Sequence, residues 1–352
     1  MKTLAITSVF VVLAAGAFAG DWTETMKLSG DFRYRHEQFD VEGKQLRNRQ
    51  RIRARLDLIA TPEENLMFGV RLTSGGDDPV SSNQTLGDGF ASKSIVLDRA
   101  YATWTEPNSG AKVTGGKMGN PFYLPAKSEL IWDSDISLEG LTVKHVFGEG
   151  DTKVFVHGGG LWVEERTADV NAGLFGGQVG LAQSFDGASV VVGGGYLAYT
   201  DLMGPLYDDD FFGNTNDGDV FTSEFSLVEF FAVLGFEAGE TPVTVFADVV
   251  TNQDADDHEQ AYMFGAKLGA AKEPGSWEAK YNYREVQADA VMGALTDSDF
   301  RGGGTDAKGH EFGFGYQLSK KAKFATTFFV NEVGLDGPTD FKRLMVDFKF
   351  KF

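Results

Sequence analysis

From Lys27 onward, apolar residues recur at every second position and charged or small residues fill the places between. That period belongs to a strand whose two faces meet different surroundings. Leu28, Phe32 and Tyr34 alternate with Asp31, Arg33 and Arg35; in the next segment Ile52, Ala54, Leu56 and Leu58 alternate with Arg49, Arg51, Arg53, Arg55 and Asp57. Helical periodicity is nearly absent. Two architectures accommodate such strands: a soluble sandwich turns the apolar face inward, and a membrane barrel turns it outward.

Link lengths decide between them. Sixteen alternating runs begin near Lys27, Arg47, Leu66, Ile95, Ala111, Glu139, Thr152, Ala172, Ala188, Val220, Val243, Ala261, Trp277, His310, Lys323 and Phe341. Every odd-numbered link between them reads as longer than every even-numbered one. An up-and-down barrel imposes that parity, because odd links share one rim and even links the other. The expected fold is therefore all-β: a transmembrane antiparallel up-and-down β-barrel of 16 strands, with short turns toward the periplasm and long loops outside. Asp186-Gly187 reads as a two-residue type I′ hairpin turn. The run 220–238 exceeds the ~9 to 11 residues that cross a bilayer as a tilted strand, so it is expected to project or to contain a break.

Aromatic placement agrees with an apolar exterior. Trp277, Tyr281 and Tyr283 share one face opposite Glu278, Lys280, Asn282 and Arg284; the final run sets Leu344, Val346, Phe348, Phe350 and Phe352 outward, with Arg343, Asp347, Lys349 and Lys351 pointing into a water-filled lumen. The first residues have another character. Lys2, the short apolar stretch 4–15 and Ala17-Phe18-Ala19 make residues 1–19 a cleaved signal peptide, leaving 20–352 as the exported chain and about 27–352 as the barrel proper. The chain has no cysteine, which excludes disulfides, thiol catalysis and thiolate metal sites. A formal charge of -19 argues against a nucleic-acid partner, since phosphate backbones demand a basic surface.

Several stretches carry a family likeness. Leu97-Asp98-Arg99-Ala100-Tyr101-Ala102-Thr103-Trp104, then Gly116-Lys117-Met118-Gly119-Asn120-Pro121-Phe122, then Trp132-Asp133-Ser134-Asp135 leading to Glu139-Gly140-Leu141, resemble the putative-porin family of Gram-negative bacteria. So do Leu295-Thr296-Asp297-Ser298-Asp299-Phe300 and Lys308-Gly309-His310-Glu311. The likeness implies an architecture similar to the general diffusion porins: a homotrimer in the cell outer membrane, with the third external loop, Gly119 to Leu138, folded into the pore. Outer-membrane lipid is the expected surrounding, the acidic external links have divalent-cation bridging to lipopolysaccharide as one reading, and the terminal aromatic Phe352 resembles the signal for uptake by the barrel assembly machinery.

The charges then describe a pore. Arg33, Arg35, Arg47, Arg49, Arg51, Arg53, Arg55 and Arg71 fall by parity on the lumen side, where they avoid the ~2 to 4 kcal/mol cost of a mid-membrane charge facing lipid. Glu129, Asp133 and Asp135 in the inward loop, with neighbouring Glu139, supply the opposite charge. Facing each other, the two sets create a transverse field that favours dipolar over apolar solutes. The aspartates of the long links, Asp297 and Asp299 among them, read as a solvated rim, and Gly302-Gly303-Gly304 as a flexible loop. No metal site, cofactor or enzymatic constellation is expected; the five histidines lack a nucleophile at useful spacing. The expected function is passive diffusion of small hydrophilic solutes and ions. Alternatives are a substrate-specific channel with Phe122, Tyr123 and Trp132 as an aromatic track, and a plugged adhesive or structural barrel.

Overall fold

The computed structural model describes residues 25–352. The signal peptide expected over residues 1–19 lies outside them. Half of the wall consists of β1 (Met26–Val41), β2 (Arg47–Glu63), β3 (Leu66–Ser74), β5 (Ile95–Thr105), β6 (Lys112–Gly119), β7 (Ser137–Phe147), β8 (Thr152–Glu164) and β9 (Ala172–Phe185). The other half is β10 (Ala188–Thr200), β11 (Ser226–Ala238), β12 (Thr241–Asn252), β13 (Gln260–Gly269), β14 (Trp277–Val286), β15 (Ala307–Ser319), β16 (Ala322–Val333) and β17 (Thr339–Lys351). Each strand pairs antiparallel with its chain neighbour, and β1 pairs with β17 to close a sixteen-stranded barrel. Closure leaves no sheet edge unpaired. The two-residue β4 (Gln84–Thr85) belongs to the loop 75–94 and pairs with β2 above the end of β3.

Alternation sorts the side chains as the wall requires. Phe32, Tyr34, Phe175, Phe312, Phe348 and Phe350 are exposed on the outer face, while Arg35, Glu37, Arg284, Arg343 and Asp347 are buried on the inner one. At the seam the backbones of Phe352 and Gly30 exchange hydrogen bonds of 3.1 and 3.3 Å, with the Phe352 ring lying over Gly30. The last residue thus completes the closing pair of strands.

Three local expectations change. The run 220–238 does contain a break: β11 starts at Ser226, and 201–225 is a loop whose Phe225 is fully buried. The strict parity of link lengths does not hold, because the five-residue link 42–46 is shorter than the seven-residue turn 270–276. The reason is strand length: β1 and β2 run 16 and 17 residues, more than the ~9 to 11 that span a bilayer, so their hairpin absorbs chain a loop would otherwise hold. At the β9–β10 turn, Gly187 takes φ 74° but Asp186 is not left-handed, so the turn is not type I′. A turn with one left-handed position needs glycine only there.

Candidate functional site

The antiparallel register of β1 and β2 sets Asp31 opposite Arg55, Arg33 opposite Arg53, Arg35 opposite Arg51, Glu37 opposite Arg49 and Phe39 opposite Arg47, all on the inner face. Like charges facing each other across strands repel. The acids between them reverse that balance. Asp31 accepts from Arg53 at 3.0 Å and Arg55 at 2.7 Å; Asp347 of β17 accepts from Arg35 at 2.7 Å; fully buried Glu37 accepts from Arg343 at 2.9 Å and from Arg49. Arg71 pairs with Asp57 at 2.7 Å, and Arg47 sits over the Phe39 ring at 5.8 Å near the rim. All eight arginines of the ladder are on the inner side, but most belong to an ion-pair network.

The four acids expected opposite them separate. Asp135 bonds Arg53 and Arg55 at 3.0 and 3.2 Å. Asp133 does not touch the ladder; its oxygens accept the backbone N–H of Asp135 at 2.7 Å and of Ser298 at 2.9 Å. Glu129 accepts the Ser134 N–H at 2.8 Å. Glu139 does not belong to the set. Buried Leu138 takes the inner face at the start of β7, which turns Glu139 outward beside exposed Leu141, where it pairs with Lys117 at 2.6 Å.

A second loop supplies the missing acids. Residues 287–306 are largely buried: Asp297 bonds Arg284 at 2.6 Å, and Asp299 bonds Arg35 at 3.1 Å and Arg343 at 2.8 Å. Asp297 and Asp299 are therefore partners of inward arginines rather than rim residues. The Gly302-Gly303-Gly304 run goes from exposed Gly302 to buried, tightly packed Gly304. Gly304 has φ 99°, and a Cβ there would meet the Phe212 carbonyl oxygen at 2.1 Å, so only glycine fits this crossing. Thr305 donates its N–H to Phe212 O at 2.8 Å, and buried Asn214 donates to Ala288 O and Val291 O at 2.6 and 2.8 Å, fastening loop 201–225 to loop 287–306. The two acid-bearing loops are joined as well: Asp133 N–H donates to Leu295 O at 2.9 Å and the Thr296 hydroxyl to Leu130 O at 2.8 Å.

The opposite inner wall is apolar toward the long-loop rim. Leu161, Leu174, Leu197, Leu227, Val250 and Met263 project inward from β8 to β13 and are almost fully buried against Phe122, Leu130, Trp132, Val291, Met292 and Leu295 of the two loops. The lumen is thus not bounded by charge alone, as alternation had suggested. Phe122 and Trp132 stack at 6.2 Å inside this cluster and form no exposed track. Tyr123 packs against Phe155 and Phe231, and its backbone exchanges two hydrogen bonds with Gln178 of β9 at 2.7 and 3.0 Å.

Burial and crowding set the loop acids apart electrostatically. Glu129 is pushed up to about 7, first by burial and then by Asp297; Asp133 is raised by burial, Glu129 and Asp135. For Asp299 burial acts upward too, but Arg343, Arg35 and Arg33 outweigh it and hold the carboxyl well below its usual range.

The sequence model of the putative porins matches residues 40–232 and 225–352. No curated protein sequence matches this chain. Solved structures match at low identity. Pseudomonas putida OprB, in a high-pH structure, is 12% identical with TM-score 0.64 over 94% of this chain and 95% of that one. Salmonella typhi OmpF, in complex with daunomycin, is 12% identical with TM-score 0.57 over 93% and 97%. A loop-deleted OmpT of Vibrio cholerae is 15% identical with TM-score 0.54 over 93% and 99%. At such identities these likenesses speak to the fold.

Proposed function

This chain belongs to the putative porin family, outer-membrane channels for passive diffusion, and on that footing we propose that its solutes pass an eyelet between the arginine ladder of β1–β2 and the two loops 120–136 and 287–306. The observation that carries the reading is the bridge from Arg53 to Asp135 and from Arg35 and Arg343 to Asp299, which ties loop acids to wall cations inside a closed barrel. Fixed charges of both signs around a narrow aqueous passage favour small hydrophilic solutes. An apolar molecule entering there displaces oriented water and gains no compensating contact. Phe352 as the assembly signal and Gly119 to Leu138 as the constricting loop belong to the same reading. So does a homotrimer, which the outward ion pair Lys117–Glu139 supports as a wall partly covered by protein.

Purified protein in a planar bilayer under a salt gradient tests it. Discrete conductance steps with a reversal potential displaced from zero are expected. A folded, membrane-inserted protein that passes no current overturns the reading in favour of a plugged barrel.

A further inference from the structure

The ion pairs of the eyelet do not close completely, and what is left over has a pattern. A polar cavity of about 150 Å³ lies between the ladder and the two loops. Three of its four cations are held: Arg35 by Asp347 and Asp299, Lys349 by Asp347, and Lys280 by Glu311. The fourth is Arg33. It is 7% exposed, donates Nη2 to Asn83 at 2.6 Å, forms no ion pair among the described residues, and leaves Nε without any hydrogen-bond partner. A buried guanidinium N–H without an acceptor costs the desolvation of that group, so the site is incomplete as it stands.

On the acidic side Asp135, Asp299, Glu311 and Asp347 each hold an arginine or lysine. Glu129 and Asp133 hold none. Asp133 accepts the backbone N–H groups of Asp135 and Ser298, Glu129 accepts from Ser134, and burial together with neighbouring acids raises both carboxyls. An anion alone on Arg33 would meet these carboxyls, and a cation alone beside Glu129 would meet the surrounding arginines. A solute carrying both charges satisfies each side and leaves the net charge of the cavity unchanged.

We propose that this cavity is a binding subsite for small zwitterions of the α-amino acid class, with the solute carboxylate on Arg33 and its ammonium group at Glu129 and Asp133. The proposal rests on the channel reading above and names its solute. The Arg33 fork offers a carboxylate charge-assisted hydrogen bonds, including one from the unpartnered Nε.

Alanine added to single open channels in potassium chloride is the test, with lactamide, propionate and propylammonium as comparison solutes of similar size. Alanine is expected to reduce the current saturably, and the other three to do so much less. Arg33→Gln and Glu129→Gln are each expected to weaken the block about tenfold or more while the channels still open, with Arg33→Lys restoring part of it. Equal block by propionate would show an anion site and overturn the proposal, and so would open channels that no solute blocks; both leave the channel reading intact. Wild-type protein that never conducts overturns both.

Discussion

The two inner walls of this barrel are built on the same alternation and do different things with it. Along β1, β2 and β17 the inward residues are arginines interleaved with acids; along β8 to β13, toward the long-loop rim, they are leucines, valine and methionine. The apolar wall gives the loops a place to bury Leu130, Trp132, Val291 and Met292. Once rooted there, they can extend Asp135 and Asp299 across to the arginines. Hydrophobic burial is nondirectional and large, so it decides where a loop docks; ion pairs in partly wet surroundings decide how its tip is oriented. One wall anchors the loops, and the other is the one that the proposed reading makes selective.

The largest effect should come from loosening the anchor. Trp132 is 2% exposed and stacked on Phe122, so Trp132→Ala is expected to cost about 3–5 kcal/mol, enough to release the loop. Single-channel conductance should rise several-fold and become noisy; unchanged conductance would mean the apolar wall does not hold the eyelet.

Changes on the ionic wall should act on selectivity more than on conductance. Asp299→Asn removes hydrogen bonds to Arg35 and Arg343, worth about 1.5–3 kcal/mol, and should move the reversal potential toward anions. Replacing Arg49, Arg51 and Arg53 together by Gln should move it toward cations. If both variants shift the potential the same way, the two sets of charges do not oppose each other across the pathway.

A smaller, graded effect is expected from pH. Glu129 stands raised from its ordinary 4.5 to about 7, so the docked loop holds the proton more tightly than a released one. Docking should therefore be undiminished below pH 4.5 and weaken as pH climbs through 7, with cation selectivity rising over the same interval. Reversal potentials recorded across that interval should follow this course in the wild type and flatten in Glu129→Gln.

The smallest effect belongs to the outer face. Glu139→Gln breaks an outward pair with Lys117, on the far side of the wall from the lumen, and should leave selectivity untouched. A changed reversal potential would put Glu139 back among the pore residues.

The outward aromatics of β15 and β17 and the arginines of β2 were legible because a strand's side-chain direction follows from counting by two, whatever the rest of the molecule does. Glu139 was misplaced because it stands at the loop end of β7, where the count restarts and only the buried Leu138 fixes its phase. Asp297 and Asp299 were readable as acids, but nothing in Asp297-Ser298-Asp299 tells a solvated loop from one turned inward. The residues that could have given it away are the apolar ones before them, Val291, Met292 and Leu295, which a loop in water has no reason to carry.

By itself, then, the sequence determined the wall: strand number, the side that residues within the strands face, and the outward grease against inward charge, since these follow from local backbone geometry and the cost of exposing charge to lipid. Tertiary structure alone decided which inward residues meet. Arg35 and Asp299 stand 264 positions apart, and Arg53 and Asp135 stand 82 apart. Such pairings depend on where long loops find apolar surface to bury, a property of the closed barrel that no stretch of chain contains.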